Sequence, residues 1–179
     1  MRATALALLL SASVLSACAF DTAPPARPNI AFANDFQGFR DWIRVQLPEQ
    51  ALTEGHASSP ARFTYLDRPA PPPDEPFEDG SILVKTVEEG DPAEWEIHAM
   101  VQRGGNYNSD GAAGWEFLAL TFDARGELFI AWRGTGDERA AYLDPVTGQR
   151  RACTTCHGLV PDRDYVFERE LYALEPEAP

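Results

Sequence analysis

The chain has 179 residues, of which 44% are hydrophobic, and this is enough for the core of one domain of ordinary size. Its formal net charge of −13 excludes a nucleic-acid-binding protein, because contacts to phosphate need a basic face. The same acidity leaves no basic patch for anionic lipids and favours solubility and cationic partners.

The first 17 residues have the pattern of an export signal. An apolar run over residues 3–15 is too short to span a bilayer comfortably. It leads into Leu-Ser-Ala-Cys at residues 15–18, which resembles a bacterial lipobox and predicts a diacylated Cys18 as the first mature residue. The alternative is cleavage slightly further on, with Cys18 discarded. Lipidation predicts a periplasmic protein anchored to a membrane by lipid alone, and Ala19 favours the outer membrane.

An Ala/Pro-rich tether is predicted over residues 18–33 and one folded domain over residues 34–179. Within that domain a helix is expected to begin near Asn34 and to end before Pro48. Its apolar positions would be Phe36, Phe39, Trp42, Ile43 and Val45.

Strands are predicted where β-branched and aromatic residues cluster or alternate with polar ones. These segments are residues 62–66, 81–87, 94–103, 115–123 and 127–132. The last two form a hairpin around residues 124–126, and the proline-rich residues 69–76 form an extended surface connection. With helices at the two ends of the chain, the pattern predicts an α+β fold with an antiparallel sheet of about five strands and flanking helices.

The strongest chemical signal is Cys153-Thr-Thr-Cys156-His157. Cysteines three apart on a helical turn present both sulfurs to one side, as two thioether bonds to a haem require. C-x-x-C-H is the attachment signature of c-type haem, so one covalently bound haem c is predicted, with His157 as the iron ligand.

Three alternatives to haem remain. A structural zinc site commonly has a second pair of ligands, and the chain has no second Cys pair. A thioredoxin-like redox motif lies between the strand and helix of a βαβ unit, whereas this one follows a run of strands. A plain disulfide between Cys153 and Cys156 is the simplest alternative.

The second axial position of the iron is predicted to be open. The segment after His157 contains neither Met nor His. His98 is expected to be an ordinary strand residue and His56 a solvated one, and small electron carriers usually take a downstream Met instead. An open position binds and transforms small molecules, whereas two permanent ligands favour simple electron transfer.

Three segments together resemble the cytochrome P-460 and cytochrome c′-beta family. They are FEDGSILVKTV at residues 77–87, WEFLALTFDARGEL at 115–128 and CTTCHGLVPDRDYVFER at 153–169. The resemblance covers roughly residues 36–170. It implies a haem packed against a large antiparallel sheet, His157 as the proximal ligand, and a homodimer.

The resemblance also implies roles for two basic residues. In the P-460 branch a lysine of the Val-Lys strand is bonded to the porphyrin, and Lys85, the only lysine of the chain, matches it. Desolvation in an apolar strand would favour the neutral, nucleophilic amine; the alternative is a lysine that guards an edge strand. Arg62 matches an arginine above the iron, or is an exposed residue at a strand start. The resemblance also implies a polar residue on the open side of the iron, shortly before the first haem cysteine, and Gln149 or Arg150 matches it. Neither residue is a carboxylate that could accept a proton from the substrate.

Two functions follow from the resemblance. The first is oxidation of hydroxylamine, with Arg62 and Lys85 as catalytic residues and electrons passed to a partner cytochrome. The second is non-catalytic binding of nitric oxide, as in the c′-beta type, with Phe63, Phe77 and Phe117 available to cap the pocket. A plain electron carrier would need a second iron ligand from the protein.

Overall fold

Six strands form one antiparallel sheet in the order β1-β2-β3-β4-β5-β6. The structure, a computed structural model, describes residues 29–48, 59, 61–137, 142–143, 148 and 150–172. The strands of the sheet are β1 (Ile43–Gln46), β2 (Arg62–Leu66), β3 (Ile82–Val87), β4 (Glu96–Gln102), β5 (Trp115–Phe122) and β6 (Leu128–Gly134). A separate pair is formed by β7 (Tyr142–Leu143) and β8 (Arg150–Arg151). Two short helices follow, α1 (Cys153–His157) and α2 (Arg169–Tyr172).

The α+β class and the antiparallel sheet are confirmed, with six strands instead of about five. All five predicted strands are present within two residues of their expected bounds. The turn before β3 places Gly80 at φ 91°, a conformation that glycine adopts without steric cost. No helix in the described part of the chain is both long and apolar enough to cross a membrane.

The helix predicted from Asn34 is wrong. Two 3-10 turns, Ala33–Phe36 and Phe39–Asp41, stand in its place and are followed by β1. Gly38 between the two turns has φ 73°, which interrupts a right-handed helix. The β-branched side chains of Ile43 and Val45 then favour a strand, which pairs with β2 at the edge of the sheet.

The two faces of the sheet are covered by opposite ends of the described chain. The 3-10 turns and the residues before them, which we call the N-terminal cover (residues 29–41), lie on one face, where Phe36 and Phe39 are buried against Tyr65 and Val84. The end of the predicted tether therefore packs on the sheet, since Ala31 is 5% exposed. Residues 150–172, which we call the C-terminal segment, lie against the other face.

Truncating Phe36 should test the N-terminal cover. Phe36 is fully buried, so Phe36→Ala should lower the free energy of unfolding by about 3–5 kcal/mol, as expected for a large side chain removed from a core. Phe32, which is 65% exposed, is the matched control. Phe32→Ala should change the free energy of unfolding by no more than about 0.5 kcal/mol. Urea denaturation measures both, and equal effects of the two substitutions would contradict this packing.

Candidate functional site

A cavity of about 540 Å³ lies between the sheet and the C-terminal segment. Its volume falls within the range of about 300–1,000 Å³ that is typical of small-molecule and cofactor sites. The strands contribute Thr64, Leu83, Lys85, His98, Met100 and Phe117 to its wall. The opposite wall includes Cys153, Cys156 and His157 from α1 and Val166, Phe167 and Glu168 from the residues before α2.

The register of the sheet explains which strand residues face the cavity. Thr64, Lys85 and His98 are direct cross-strand partners and form one row across β2, β3 and β4. The next row is formed by Leu83, Met100 and Phe117 on β3, β4 and β5. The rows are two residues apart along each strand, so their side chains share a face. One row is polar and the other apolar.

His157 is held in the orientation that a metal ligand needs. Its Nδ1 lies 2.7 Å from the backbone oxygen of Tyr165, and its ring packs against those of Phe117 and Phe167 at centroid distances of 5.0 and 5.4 Å. A carbonyl that accepts from Nδ1–H fixes the tautomer and leaves the lone pair on Nε2 for a metal. Cys153 and Cys156, on the same turn, are both thiols.

Burial controls the protonation of this imidazole. Desolvation lowers the pKa of His157 to about 4, although the hydrogen bond to Tyr165 acts in the opposite direction. The ring is therefore neutral at physiological pH. Only a neutral imidazole can bind a metal ion without first losing a proton.

A charged cluster lies at the same cavity: Lys85 and Glu168 line it, whereas Arg62 does not. Glu168 Oε1 lies 3.3 Å from Lys85 Nζ and 3.8 Å from Arg62 Nη2, so one carboxylate oxygen neighbours two cations. The Arg62 side chain is fully buried, and Arg62 lies two residues from Thr64 on the same face of β2. Desolvation lowers the pKa of Lys85, and the charge of Glu168 opposes this effect.

Glu168 is the site residue that sequence reasoning missed. A buried arginine needs a counter-charge, because an isolated charge in the protein interior is strongly unfavourable. That argument would have predicted a carboxylate partner if the burial of Arg62 had been foreseen. It could not have identified Glu168 among 28 acidic residues, because the pairing depends on how the C-terminal segment folds onto the sheet.

His98 has a different environment from the one expected. It lines the cavity next to Lys85, and its Nδ1 lies 3.3 Å from Glu96 Oε1. His98 is a strand residue, as expected, and it also lines the cavity. Arg150 also lines the cavity, whereas Gln149 and His56 lie outside the described residues.

Of the three aromatic residues proposed as a cap, only Phe117 lines the cavity. Phe63 faces the opposite side of the sheet, where the Arg44 guanidinium lies 3.4 Å from its ring centroid. Phe77 is buried beside the cavity and packs edge-on against Trp115 at 5.5 Å. The three phenylalanines that were available for a cap therefore do not line the cavity together.

The residues present fit a covalently attached haem. Two thiols and one neutral imidazole on a single helical turn face a cavity that also has apolar walls, and the iron would take only His157 from the turn. Among the described residues no three His, Cys, Asp or Glu side chains form a group that could hold a metal ion by themselves. A scan against protein-family models and searches of curated proteins and of solved structures found no match.

Proposed function

We propose that the cavity holds one haem c, bound through Cys153 and Cys156 with His157 as the axial ligand, and that the protein oxidises hydroxylamine. One observation carries the proposal: the attachment turn lines the same cavity as Lys85 and Glu168, and the buried Arg62 neighbours Glu168. A redox cofactor and a set of proton-exchanging and cationic side chains are what this oxidation needs.

Bound haem would supply the redox chemistry by accepting electrons from the substrate and passing them to a partner cytochrome. The chain supplies the remaining functions. Lys85, in the cavity wall, donates a hydrogen bond that orients a small polar substrate, and Arg62, outside that wall, positions Glu168. Glu168, next to Lys85 and Arg62, accepts a proton that hydroxylamine loses on oxidation. This role fills the gap left by the absence of a carboxylate at residues 149 and 150.

Lys85 has a further role in this proposal: its neutral amine can form a C–N bond at the porphyrin edge in place of a C–H bond, with two protons and two electrons removed by an oxidant such as a peroxide. Burial favours the neutral form, and Lys85 is the only lysine of the chain. Such a bond would account for a primary amine in an apolar strand. The alternative role of guarding an edge strand does not apply, because β3 pairs with strands on both sides.

Lys85→Arg should remove this bond while keeping a hydrogen-bond donor next to Glu168. An arginine is always charged and cannot act as the nucleophile. Wild-type protein should show a strongly red-shifted ferrous Soret band and a haem peptide that contains the Lys85 strand as well as Cys153 and Cys156. The variant should show an ordinary c-type spectrum. Identical spectra, with haem on the C-x-x-C-H peptide alone in both proteins, would contradict the cross-link.

The second candidate function is non-catalytic binding of nitric oxide. The row of Leu83, Met100 and Phe117 gives the cavity an apolar wall, which suits a small uncharged ligand. The two functions differ in steady-state turnover with hydroxylamine and an artificial electron acceptor. Nitric oxide binding without turnover would favour the second.

His98 decides whether either function is feasible, because a second imidazole on the iron would close the site. We expect ferric protein to be high-spin, with an electronic spectrum that His98→Ala leaves unchanged. If His98 were the second ligand, wild-type protein would be low-spin and His98→Ala would convert it to high-spin. That result would assign the protein to simple electron transfer.

The cellular setting remains part of the proposal. The export signal and Cys18 suggest a lipid-anchored periplasmic protein, with the outer membrane favoured. The family resemblance suggests a homodimer. Labelling with a radioactive fatty acid, followed by Cys18→Ala, tests the anchor.

A further inference from the structure

The C-x-x-C-H turn is attached to the sheet by a side chain outside the cavity wall. Thr154 Oγ1 accepts a hydrogen bond from Asn108 Nδ2 at 2.9 Å and donates one to the Thr135 carbonyl at 2.5 Å. The Thr154 N–H donates to the Gly136 carbonyl at 3.0 Å. Cys153 and Thr155, on either side, line the cavity, and Thr154 does not.

The partners of Thr154 are themselves fixed to the sheet. Asn108 has φ 51°, a left-handed conformation that asparagine tolerates, and its Nδ2 also donates to the Trp115 carbonyl at the start of β5. Thr135 and Gly136 directly follow β6. The hydroxyl of Thr154 therefore connects α1 to the ends of two neighbouring strands.

Two glycines make room for this contact. A Cβ on Gly111 would lie 2.3 Å from Thr154 Cγ2, far inside van der Waals contact. A Cβ on Gly136 would lie 2.8 Å from the Cβ of Cys153, and Gly136 has φ 64°. The turn is thus seated against two stretches of backbone that a larger residue would push away.

We propose that Thr154 is the positioning residue of the haem attachment site. The hydrogen-bond chain from Asn108 through Thr154 to Thr135 holds Cys153, Cys156 and His157 towards the cavity. Asn108, Thr154 and Thr135 do not line the cavity, so these hydrogen bonds do not depend on what occupies the cavity. The identity of the cofactor rests on the proposed function, whereas the seating of the turn does not.

Hydrogen exchange of the full chain tests the seating. Thr154→Val keeps the shape but loses the hydroxyl, and it should speed exchange of the Thr154 and Gly158 amides about tenfold. Thr155→Val makes the same change at the neighbouring position and should leave both rates unchanged, and Thr154→Ser should stay close to wild type. Unchanged exchange rates of the backbone amides in β4 would show that the sheet is intact. Exchange in Thr154→Val at the wild-type rate would overturn the proposal.

Haem attachment tests the positioning. In a host that matures c-type cytochromes, the fraction of chains with both thioether bonds should fall at least threefold in Thr154→Val and in Gly111→Ala, where the added methyl displaces Thr154. Thr154→Ser, which retains the hydroxyl, should keep the wild-type fraction. Faster exchange with normal attachment would overturn the positioning role. Wild-type protein without haem would refute the proposed function instead, while the exchange experiment would still test the seating.

Discussion

In the Lys85→Arg background, which removes the proposed bond from Lys85, protein in which both Cys153 and Cys156 are replaced by serine should contain no covalently bound haem. Both thiols line the cavity from one helical turn, and serine cannot form the thioether bonds. After acid–acetone extraction the chain with Lys85→Arg alone should keep its haem mass, and the double cysteine variant in that background should lose it entirely. This is the largest effect expected of any substitution here, because every redox property depends on the cofactor.

Single substitutions provide the control for that experiment. Cys153→Ser and Cys156→Ser should each keep one thioether bond, and the pyridine haemochrome band should shift towards longer wavelength. Far-ultraviolet circular dichroism should show the same sheet in all variants, since neither cysteine belongs to β1–β6. Haem that stays covalently bound in the double variant would refute the attachment site.

Glu168→Gln should lower kcat for hydroxylamine oxidation about a hundredfold or more, the usual contribution of a positioned general base. The amide keeps the size of the side chain but cannot accept a proton. Glu168→Asp should recover part of the activity because it restores a carboxylate. Steady-state turnover with an artificial electron acceptor measures both.

Glu88→Gln is the matched control for Glu168. Glu88 is also paired with an arginine, at 3.2 Å from Arg44 Nη2, but it lies outside the cavity wall. Its substitution should leave kcat within twofold of wild type. If Glu168→Gln also stays within twofold while Lys85→Arg alters the spectrum, the cluster serves the cofactor and Glu168 is not the proton acceptor.

Local sequence patterns predicted the strands well and the N-terminal helix wrongly. The five strands were found because alternation and β-branching are properties of each segment by itself. The apolar spacing of Phe36, Phe39 and Trp42 also fits a helical face, but Gly38 and the edge of the sheet outweigh it. The bonds of β1 to β2 are a tertiary interaction that periodicity alone cannot reveal.

Some features of the candidate site were likewise predictable from one segment, and others depend on how the strands pair. The sulfurs of Cys153 and Cys156 and the ring of His157 were expected to act together because they share one turn. The proximity of Arg62 to Lys85 needed the register of β2 with β3, where Arg62 pairs with Val87 and Thr64 with Lys85. The cavity-facing position of His98 next to Lys85 needed the register of β3 with β4.

The sequence by itself determined what short segments carry: two cysteines and a histidine on one turn, a single lysine in an apolar strand, and the strands of an antiparallel sheet. Only the tertiary structure decided which charges meet. Glu168 lies 83 residues from Lys85 along the chain, yet their side chains are 3.3 Å apart. The physical reason is that spacing encodes contacts within a turn or strand, whereas contacts between distant segments depend on how whole faces pack.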